Sequence, residues 1–373
     1  MATENNNKNL NVPNLRFPEF SGEWERCALG DITENFSRRN KEEFLYPMFS
    51  VTNNKGFIPQ SEQFEDREMV GEDIKAYKII HKDDFAYNPA RINVGSIAKY
   101  NGENPCMISS LYVCFKTTPK IDNDWMMQLL KTPKMNFYYN INGEGGVRVY
   151  LFYPNFARIK TSYPTLQEQQ KISSFLSLLD ERIATQIKII EKLESLIKGL
   201  CQKLTQQGNT NTALNECLEC YSSTLQESSV LEAGGYPVYG ATGICGYTDT
   251  PEVNGDSILI IKDGASVGVT YYASGKYSAI GTLNRLIAKG GYSLRYLYYC
   301  LKVFNFAPYR TGLAIPHIYF RDYGKAKIWC PPIEEQNRIA NALEKVEQKI
   351  ATEKSLLEQL YSQKRFLLQA MFI

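Results

Sequence analysis

The side chains best suited to chemistry in this sequence are basic and aromatic, and they concentrate in two stretches. Residues 285–327 contain eight Lys or Arg, one acidic residue and ten aromatic residues. Residues 116–160 contain seven basic, three acidic and eight aromatic residues. Lys and Arg neutralise phosphates, and Arg, Asn and Tyr can reach base edges. A plain solvated surface is the alternative, but the same bias in both halves of the chain favours nucleic-acid binding.

The motifs of common catalytic and metal sites are incomplete. The chain has only two His residues, and no arrangement of nucleophile, base and acid stands out. Residues 88–91, Asn-Pro-Ala-Arg, lack the second proline and the aromatic residue of the adenine-methyltransferase motif. Cys217 and Cys220 have zinc-like spacing but lack a second pair. The sequence therefore predicts a chain that is not an enzyme and that holds neither a metal nor a cofactor.

Length, charge and cysteine usage bound the class of protein. At about 100–200 residues per domain, 373 residues make two or three domains. The net charge of +2 excludes a uniformly basic nucleic-acid coat but not a local basic face. Nine irregularly spaced cysteines indicate reduced thiols. No apolar run approaches the ~18 residues of a membrane helix and no signal-peptide pattern opens the chain, so we expect a cytoplasmic protein.

The elements that position these residues come as an internal repeat. Residues 164–202 align with residues 331–369 without a gap at a shift of 167 positions, and 13 of the 39 aligned pairs are identical. The alignment extends upstream, where Phe156 falls on Tyr323. We therefore predict two copies of one unit, each a variable globular part followed by a helix. A duplication whose symmetry has no use is the alternative.

Both helices carry an apolar heptad stripe whose steps alternate between four and three residues. This pattern predicts a two-helix coiled coil, and a long helix packed on its own domain is the alternative. The stripes break at equivalent positions, Gln186 and Glu353, where a polar residue can fix the register at a cost in stability. The predicted helix-pairing residues are Ile172, Leu176, Leu179, Ile183, Ile190 and Leu193 on the first helix, and Ile339, Leu343, Val346, Ile350, Leu357 and Leu360 on the second.

The predicted fold class is α+β, with two tandem globular domains of curled sheets, each followed by a long helix. Predicted strands are Ser257–Ile261 and Leu111–Phe115, predicted helices are Asp124–Leu130 and Leu294–Phe304, and Tyr236–Tyr247 is a predicted looped segment. The predicted boundaries are an N-terminal tail (1–19, disordered through residue 12), a first domain (20–163), a first helix (164–205), a linker (206–212), a second domain (213–330) and a second helix (331–373).

Several short motifs follow one another in an order that repeats. They are residues 12–20 with Trp24, residues 85–97 (Phe-Ala-Tyr-Asn-Pro-Ala-Arg-Ile-Asn-Val-Gly-Ser-Ile), residues 236–240, 264–268 and 315–320, and the helix starts at residues 164–169 (Pro-Thr-Leu-Gln-Glu-Gln) and 331–336 (Pro-Pro-Ile-Glu-Glu-Gln). In this order, and over nearly the whole chain, they resemble the specificity subunit of Type I restriction-modification systems.

The resemblance implies that each globular domain is a target recognition domain that reads one half of a split site on double-stranded DNA. It implies that the two helices pair antiparallel, set the unread gap between the half-sites and bind two methyltransferase (modification) subunits. S-adenosylmethionine, ATP and Mg²⁺ would then belong to those subunits and to two restriction or translocase subunits. No membrane is implied.

Loop residues, rather than helix residues, are our candidates for contacts with bases and phosphates. They are Asn53, Asn54, Lys55, Arg91, Asn93, Ser96, Lys99 and Arg148 in the first domain, and Thr242, Lys262, Ser266, Arg285, Arg310, Thr311 and His317 in the second. Arg148 and Arg310 are predicted to lie in corresponding loops before the two helices. Three other interpretations stay open: a silent or recombining specificity cassette, a coiled-coil scaffold that binds no DNA, and a free-standing DNA-modifying enzyme.

Overall fold

A computed structural model of the chain describes residues 11–63, 74–145, 149–312 and 314–373. Its contacts divide into two compact units. The first contains the described residues up to Thr185 together with Leu357–Ile373, and the second contains Gln186–Leu356. Each unit therefore combines one globular domain with a segment from each of the two long helices.

The secondary structure confirms the predicted α+β class. The described strands of the first domain are β1 (Glu25–Ala28), β2 (Thr33–Phe36), β3 (Phe49–Thr52), β4 (Gly56–Pro59), β5 (Lys78–Ile80), β6 (Phe85–Tyr87), β7 (Ile97–Lys99), β8 (Cys106–Ile108), β9 (Val113–Thr117) and β10 (Lys160–Tyr163). Its helices are α1 (Leu29–Ile32), α2 (Gln60–Gln63), α3 (Asn123–Leu130), α4 (Pro133–Asn142) and α5 (Tyr153–Ala157), and the long helix α6 (Leu166–Thr205) follows.

The second domain repeats this succession of strands. Its described strands are β11 (Thr212–Ala213), β12 (Leu218–Ser222), β13 (Tyr236–Gly240), β14 (Gly243–Thr248), β15 (Val253–Asn254), β16 (Ser257–Ile261), β17 (Thr270–Ala273), β18 (Lys276–Ala279), β19 (Leu283–Ala288) and β20 (Lys327–Ile328). Its helices are α7 (Leu214–Cys217), α8 (Leu294–Lys302) and α9 (Phe320–Tyr323), and the second long helix α10 (Ile333–Ala370) follows.

Both domains are built on an antiparallel four-stranded sheet with the same strand order. The order is β2-β9-β6-β7 in the first domain and β12-β19-β16-β17 in the second. A second layer contains β14-β13-β18-β15 in the second domain, where β13 and β18 run parallel. In the first domain the matching strands form the pairs β3-β4 and β5-β8, which a parallel bridge between Met48 and Met107 joins. The repeat seen in the helices therefore extends through the domains.

Local sequence explains several of these elements. All five residues of β16 are buried, as expected for a short continuous apolar run in a sheet covered on both faces. Asp122 caps α3 by accepting a hydrogen bond from the Trp125 amide at 2.8 Å. Thr132 caps α4 in the same way, and Pro133 occupies the first turn, where its missing N–H costs nothing.

Two predictions about irregular segments are wrong. Tyr236–Tyr247 is the β13–β14 hairpin rather than a loop, because Tyr236 pairs with Thr248 and Tyr239 with Ile244. Gly243, with a φ of +100°, closes the turn between the two strands. Thr212, placed in the linker, lies in β11 and pairs with Ile328. The predicted strand Leu111–Phe115 begins two residues later, at Val113.

The predicted disordered tail is also wrong for its described part. Asn11 is buried, and its side-chain amide donates to the Trp24 carbonyl at 2.6 Å and to Ser162 Oγ at 3.0 Å. The Leu15 amide donates to the Ala370 carbonyl at the end of α10. This segment is therefore part of the first unit, while residues 1–10 lie outside the described residues.

The two long helices pack antiparallel within each unit. In the first unit, Trp24 lies next to both Glu168 and Phe372, whereas further along α6 Asp180 pairs with Lys364. In the second unit, the Gln186 side-chain amide donates to the Glu353 carbonyl at 3.0 Å and contacts the Glu353 carboxylate. Later residues of α6 there share a core with earlier residues of α10, namely Ile197 and Cys201 with Ile339 and Leu343.

The twelve predicted helix-pairing residues face inward to different degrees. Ile172, Leu176, Leu179, Ile183, Ile190, Ile339, Leu343 and Leu360 are buried, and Leu193, Val346, Ile350 and Leu357 are half-buried. In the second unit Ile339 and Leu343 also pack with residues of the second domain, so the stripe serves both helix pairing and packing on that domain.

Candidate nucleic-acid interface

The first group of candidates lies on the β3–β4 turn of the first domain. Asn53, Asn54 and Lys55 are exposed there. The Thr52 hydroxyl accepts from the Lys55 amide at 3.1 Å and donates to the Gly56 carbonyl at 3.2 Å. Gly56 has a φ of +67°, which glycine adopts easily. The turn therefore projects three polar side chains without burying any of them.

The loop between β6 and β7 lies beside this turn. Arg91 is exposed on it, and an open groove of about 630 Å³ is lined by Arg91 together with Asn53, Asn54 and Lys55. The structure thus brings four candidates together from two loops. Two amides and two cations around one groove can donate to phosphates and to base edges.

Three other candidates of the first domain make side-chain bonds within the protein. The buried Ser96 hydroxyl donates to the Val51 carbonyl at 2.7 Å. Lys99 belongs to β7, and its ammonium pairs with Asp124 at 2.7 Å and with Asp83 at 3.4 Å. Asn93 donates to the Asn140 side chain at 3.0 Å. The polar side-chain atoms of Ser96 and Lys99 are therefore already bonded to other residues of the protein. Arg148 lies outside the described residues.

In the second domain, two loops are joined by backbone hydrogen bonds. Thr311 and His317 exchange both amide–carbonyl bonds, at 2.9 and 2.8 Å. The Ile318 amide donates to the Lys262 carbonyl at 3.0 Å, and the Gly264 amide donates to the Pro316 carbonyl at 2.9 Å. These bonds bring Lys262, Thr311 and His317 together at the end of β16.

Asp263 organises the charges at this junction. Its carboxylate accepts from Lys262 Nζ at 2.6 Å and faces His317 Nδ1 at 2.7 Å. Burial opposes ionisation of Asp263, but the hydrogen bonds from His317 and Lys262 outweigh it and lower the pKa of the carboxyl. Asp263 is therefore an ionised partner that orients both side chains.

The remaining candidates of the second domain are more dispersed. Ser266 is exposed on the β16–β17 loop, and Arg310 is exposed and donates to the Val267 carbonyl at 3.1 Å. Thr242 is exposed on the β13–β14 turn. Arg285, predicted as a loop residue, instead lies on β19 with its guanidinium 4.6 Å from the centre of the Tyr221 ring. Its position in a central strand removes it from the loop cluster.

The loops of the two domains occupy equivalent positions in the shared topology. The turns at Asn53–Lys55 and Ala241–Thr242 both close the hairpin of the second layer. The β6–β7 and β16–β17 loops both connect the same two strands of the central sheet. Bridges between Glu144 and Tyr150 and between Thr311 and His317 match at the shift of 167.

Sequence reasoning named His317 but missed three exposed rings at or just after these bridges, namely Tyr150, Phe152 and Tyr319. Tyr150 stacks on Phe152 in the first domain, and His317 stacks on Tyr319 in the second. The sequence does contain a signal for them. When the helix alignment is extended upstream at its offset of 167 residues, Tyr150 falls on His317 and Phe152 falls on Tyr319.

Candidate metal clusters and membrane-spanning helices are both missing from the described part of the chain. No group of three or more His, Cys, Asp or Glu residues there could hold a metal ion. None of the helices in those ranges combines the length and the apolar character needed to cross a membrane.

Known proteins resemble this chain at the level of family and fold. The model of the Type I restriction modification DNA specificity domain matches residues 22–195 and again residues 219–362. A Methanocaldococcus jannaschii chain assigned as the type I restriction enzyme MjaX specificity subunit is 26% identical over 213 residues, which cover 54% of this chain and 50% of that one. The Type I restriction enzyme EcoprrI specificity subunit of Escherichia coli is 27% identical over 110 residues, which cover 30% of this chain and 27% of that one. The chain thus matches half or less of the length of these relatives.

Two solved structures share the fold over nearly the whole chain. The S subunit of a Type-I restriction-modification system from M. genitalium superposes with a TM-score of 0.63 at 16% identity, covering 97% of this chain and 99% of that one. A chain from a structure on complex assembly and conformational transition of the type I R-M system superposes with a TM-score of 0.59 at 16% identity, covering 93% and 96%.

Proposed function

This chain belongs to the Type I restriction modification DNA specificity family, and we propose that it selects the DNA target of such a system. Each globular domain reads one half of a bipartite site on double-stranded DNA. The observation that carries this proposal is the pair of equivalent loop sets, which present exposed polar side chains at the same points of one repeated topology, with exposed cations in each domain. A duplicated reader is suited to a target with two parts.

The loop residues divide the work in this proposal. Lys55, Arg91 and Arg310 are exposed cations, and they serve as contacts to phosphates or to guanine edges. Asn53, Asn54, Thr242, Ser266 and Thr311 offer exposed neutral groups for base edges. Ser96 and Lys99 do not touch DNA in this proposal, because their polar atoms are bonded to the protein.

The long helices have a separate role in this proposal. They fix the unread spacer between the half-sites and bind two methyltransferase subunits. Antiparallel packing of α6 and α10 segments in each unit supports it, because a pair of rigid rods can hold a defined length.

The chain itself is not an enzyme in this proposal. The methyltransferase subunits use S-adenosylmethionine, and two restriction or translocase subunits use ATP and Mg²⁺. The complex works in the cytoplasm, where the chain meets DNA. No membrane takes part.

A methylome tests this function directly. The chain is expressed with its methyltransferase partner in a host that lacks the modification, and the DNA is sequenced by single-molecule kinetics. The expected result is one new N6-methyladenine motif made of two specific blocks around a fixed gap. The motif should vanish when this chain is omitted.

Other outcomes identify the alternatives. A soluble complex without any new motif contradicts the proposal and leaves a silent cassette or a scaffold, which salt-dependent DNA binding separates. Methylation by the chain alone would reveal a free-standing enzyme.

A further inference from the structure

The two stacked ring pairs are placed alike, and three of their four rings are exposed. Tyr150 and Phe152 have ring centroids 6.2 Å apart at 11° between planes, and His317 and Tyr319 have centroids 6.5 Å apart at 21°. Tyr150 is 38% exposed, Phe152 48% and Tyr319 44%. Rings of this size usually contribute to a core. Two such pairs at one repeat position are therefore candidates for a shared role in binding.

The residue between the rings explains why they face solvent. Leu151 is buried and its amide donates to the Pro89 carbonyl at 2.9 Å, while Ile318 is buried and donates to the Lys262 carbonyl at 3.0 Å. Phe152 has extended backbone angles, and so does Tyr319. Side chains alternate along an extended chain, so burial of the middle residue turns both neighbours outward.

These anchors also place the rings next to the candidate DNA loops. Pro89 is two residues from Arg91, and Lys262 is itself a candidate. The Arg321 guanidinium lies 4.9 Å from the centre of the Tyr319 ring, which adds a cation to the second pair. Exposed rings next to cations can contact thymine methyl groups and phosphates along the major groove of duplex DNA.

His317 has one nitrogen left for a ligand. Its Nδ1 lies 2.7 Å from the ionised Asp263 carboxylate, so Nδ1 carries the proton and donates. In the neutral ring Nε2 is then an acceptor, and it makes no hydrogen bond to the described residues. Such an acceptor fits the exocyclic amino group of adenine or cytosine in the major groove.

We propose that the ring pair of Tyr150 and Phe152 and the ring pair of His317 and Tyr319 are equivalent specificity elements, one in each recognition domain. Each pair contacts base edges in the major groove. The inference rests on the proposed function and adds the residues that discriminate bases. His317 accepts from a base amino group, Asp263 positions it, and Tyr319 packs against the neighbouring base. Tyr150 uses its hydroxyl at the matching place in the other half-site.

The test is the methylome of variants in the complete complex with the methyltransferase. His317→Phe keeps a ring but removes Nε2, so methylation of sites with a wrong base at one position of one half-site should rise about tenfold relative to the correct site. His317→Gln restores an acceptor and should recover part of the discrimination. Tyr150→Ala should relax one position of the other half-site. Phe137→Ala is the matched control, because Phe137 is a 60% exposed ring on α4 outside both pairs.

Several outcomes overturn the inference. An unchanged motif in His317→Phe and Tyr150→Ala refutes it, as does relaxation of the same half-site by both. Uniform loss at all positions, with His317→Gln no better than His317→Phe, indicates a phosphate contact or a structural role. In these cases the bipartite motif of the unchanged protein still upholds the proposed function. If the unchanged protein gives no such motif, both proposals fall together.

Discussion

Glu168 and Glu335 occupy equivalent positions at the start of the two long helices, but their side chains differ in burial and in bonding partners. Arg16 binds the Glu168 carboxylate through two hydrogen bonds of 2.7 Å, and the Trp24 indole adds a third of 3.3 Å. The side chain of Glu168 is 1% exposed. Glu335 is 29% exposed and pairs with Arg338, which is 78% exposed. The same residue is thus a buried anchor in one repeat and a surface ion in the other.

Gln169 and Gln336, the next residues, behave alike in both repeats. Gln169 Oε1 accepts from the Asp122 amide, and its Nε2 donates to the Pro164 carbonyl. Gln336 Oε1 accepts from the Ser293 amide, and its Nε2 donates to the Pro331 carbonyl. Hydrogen bonds that a residue makes within its own repeat are therefore found in both copies. Bonds to a segment outside the repeat, such as the one that carries Arg16, belong to one copy.

The largest difference in unfolding free energy between the repeats should appear when Arg16 and Arg338 are each replaced by alanine. Arg16→Ala leaves a buried carboxylate without its cation, which should cost about 3 kcal/mol of unfolding free energy. Arg338→Ala should leave stability unchanged within error, because its ion pair is exposed. Urea unfolding followed by tryptophan fluorescence measures both, since Trp24 and Trp125 lie in the first unit and Trp329 in the second. Equal losses would contradict the contrast.

Removal of the two glutamines should instead have similar effects. Gln169→Ala and Gln336→Ala each leave the backbone amide of a helix N-cap residue and a proline carbonyl without their partner, at a cost of about 2 kcal/mol. Gln169→Ala also leaves the Lys120 carbonyl without this donor. The same urea titration measures this, with the exposed Gln170→Ala as the control. A loss confined to one repeat would show that the shared bonds are not equivalent in energy.

The contact between Gln186 and Glu353 should respond to replacement of both residues. A double change to Leu continues the apolar stripe and should raise the urea midpoint of the second unit, because a buried polar pair stabilises less than packed leucines. Glu353→Leu alone should lower it, since Gln186 loses its partner. A double variant no more stable than the single one would mean that the polar pair itself stabilises the helices.

The smallest effect should be a pH dependence in the second domain alone. The pKa of Asp263 is lowered by His317 and Lys262. The ionised carboxylate therefore stabilises the fold above the ordinary aspartate pKa of about 3.9, and this contribution disappears as pH falls through the lower folded value. The stability difference between the unchanged protein and Asp263→Asn should be full near neutral pH and shrink in acid. Glu181→Gln, an exposed change on α6, is the control. A difference that grows in acid would reverse the assigned sign.

The helices and the repeat could be predicted because their signals are local or periodic. Gln186 and Glu353 interrupt an otherwise regular stripe, and both helices begin two residues after a proline, at Leu166 and Ile333. The strand order could not be predicted, because a pairing such as Asn35 with Phe115 joins residues far apart in the chain and leaves no local pattern.

The candidate interface was predictable only where turn chemistry alone exposes a side chain. Asn53–Lys55 is such a turn, with its glycine at the closing position. Burial of Ser96 and the ion pairs of Lys99 depend on elements that the local sequence does not contain. Asp263 meets His317 across more than fifty residues, so their contact required the fold.

The meeting of Gln186 with Glu353 constrains how the two halves can evolve. These residues are copies of one ancestral position, and they touch each other. A change at either one must be tolerated by the other, so drift at this position is coupled between the copies. Lys55 and Thr242 lie at the loop tips of different domains, so either residue can change without a change in the other. The loop tips of the two domains can therefore change independently, whereas the contact between α6 and α10 changes more slowly.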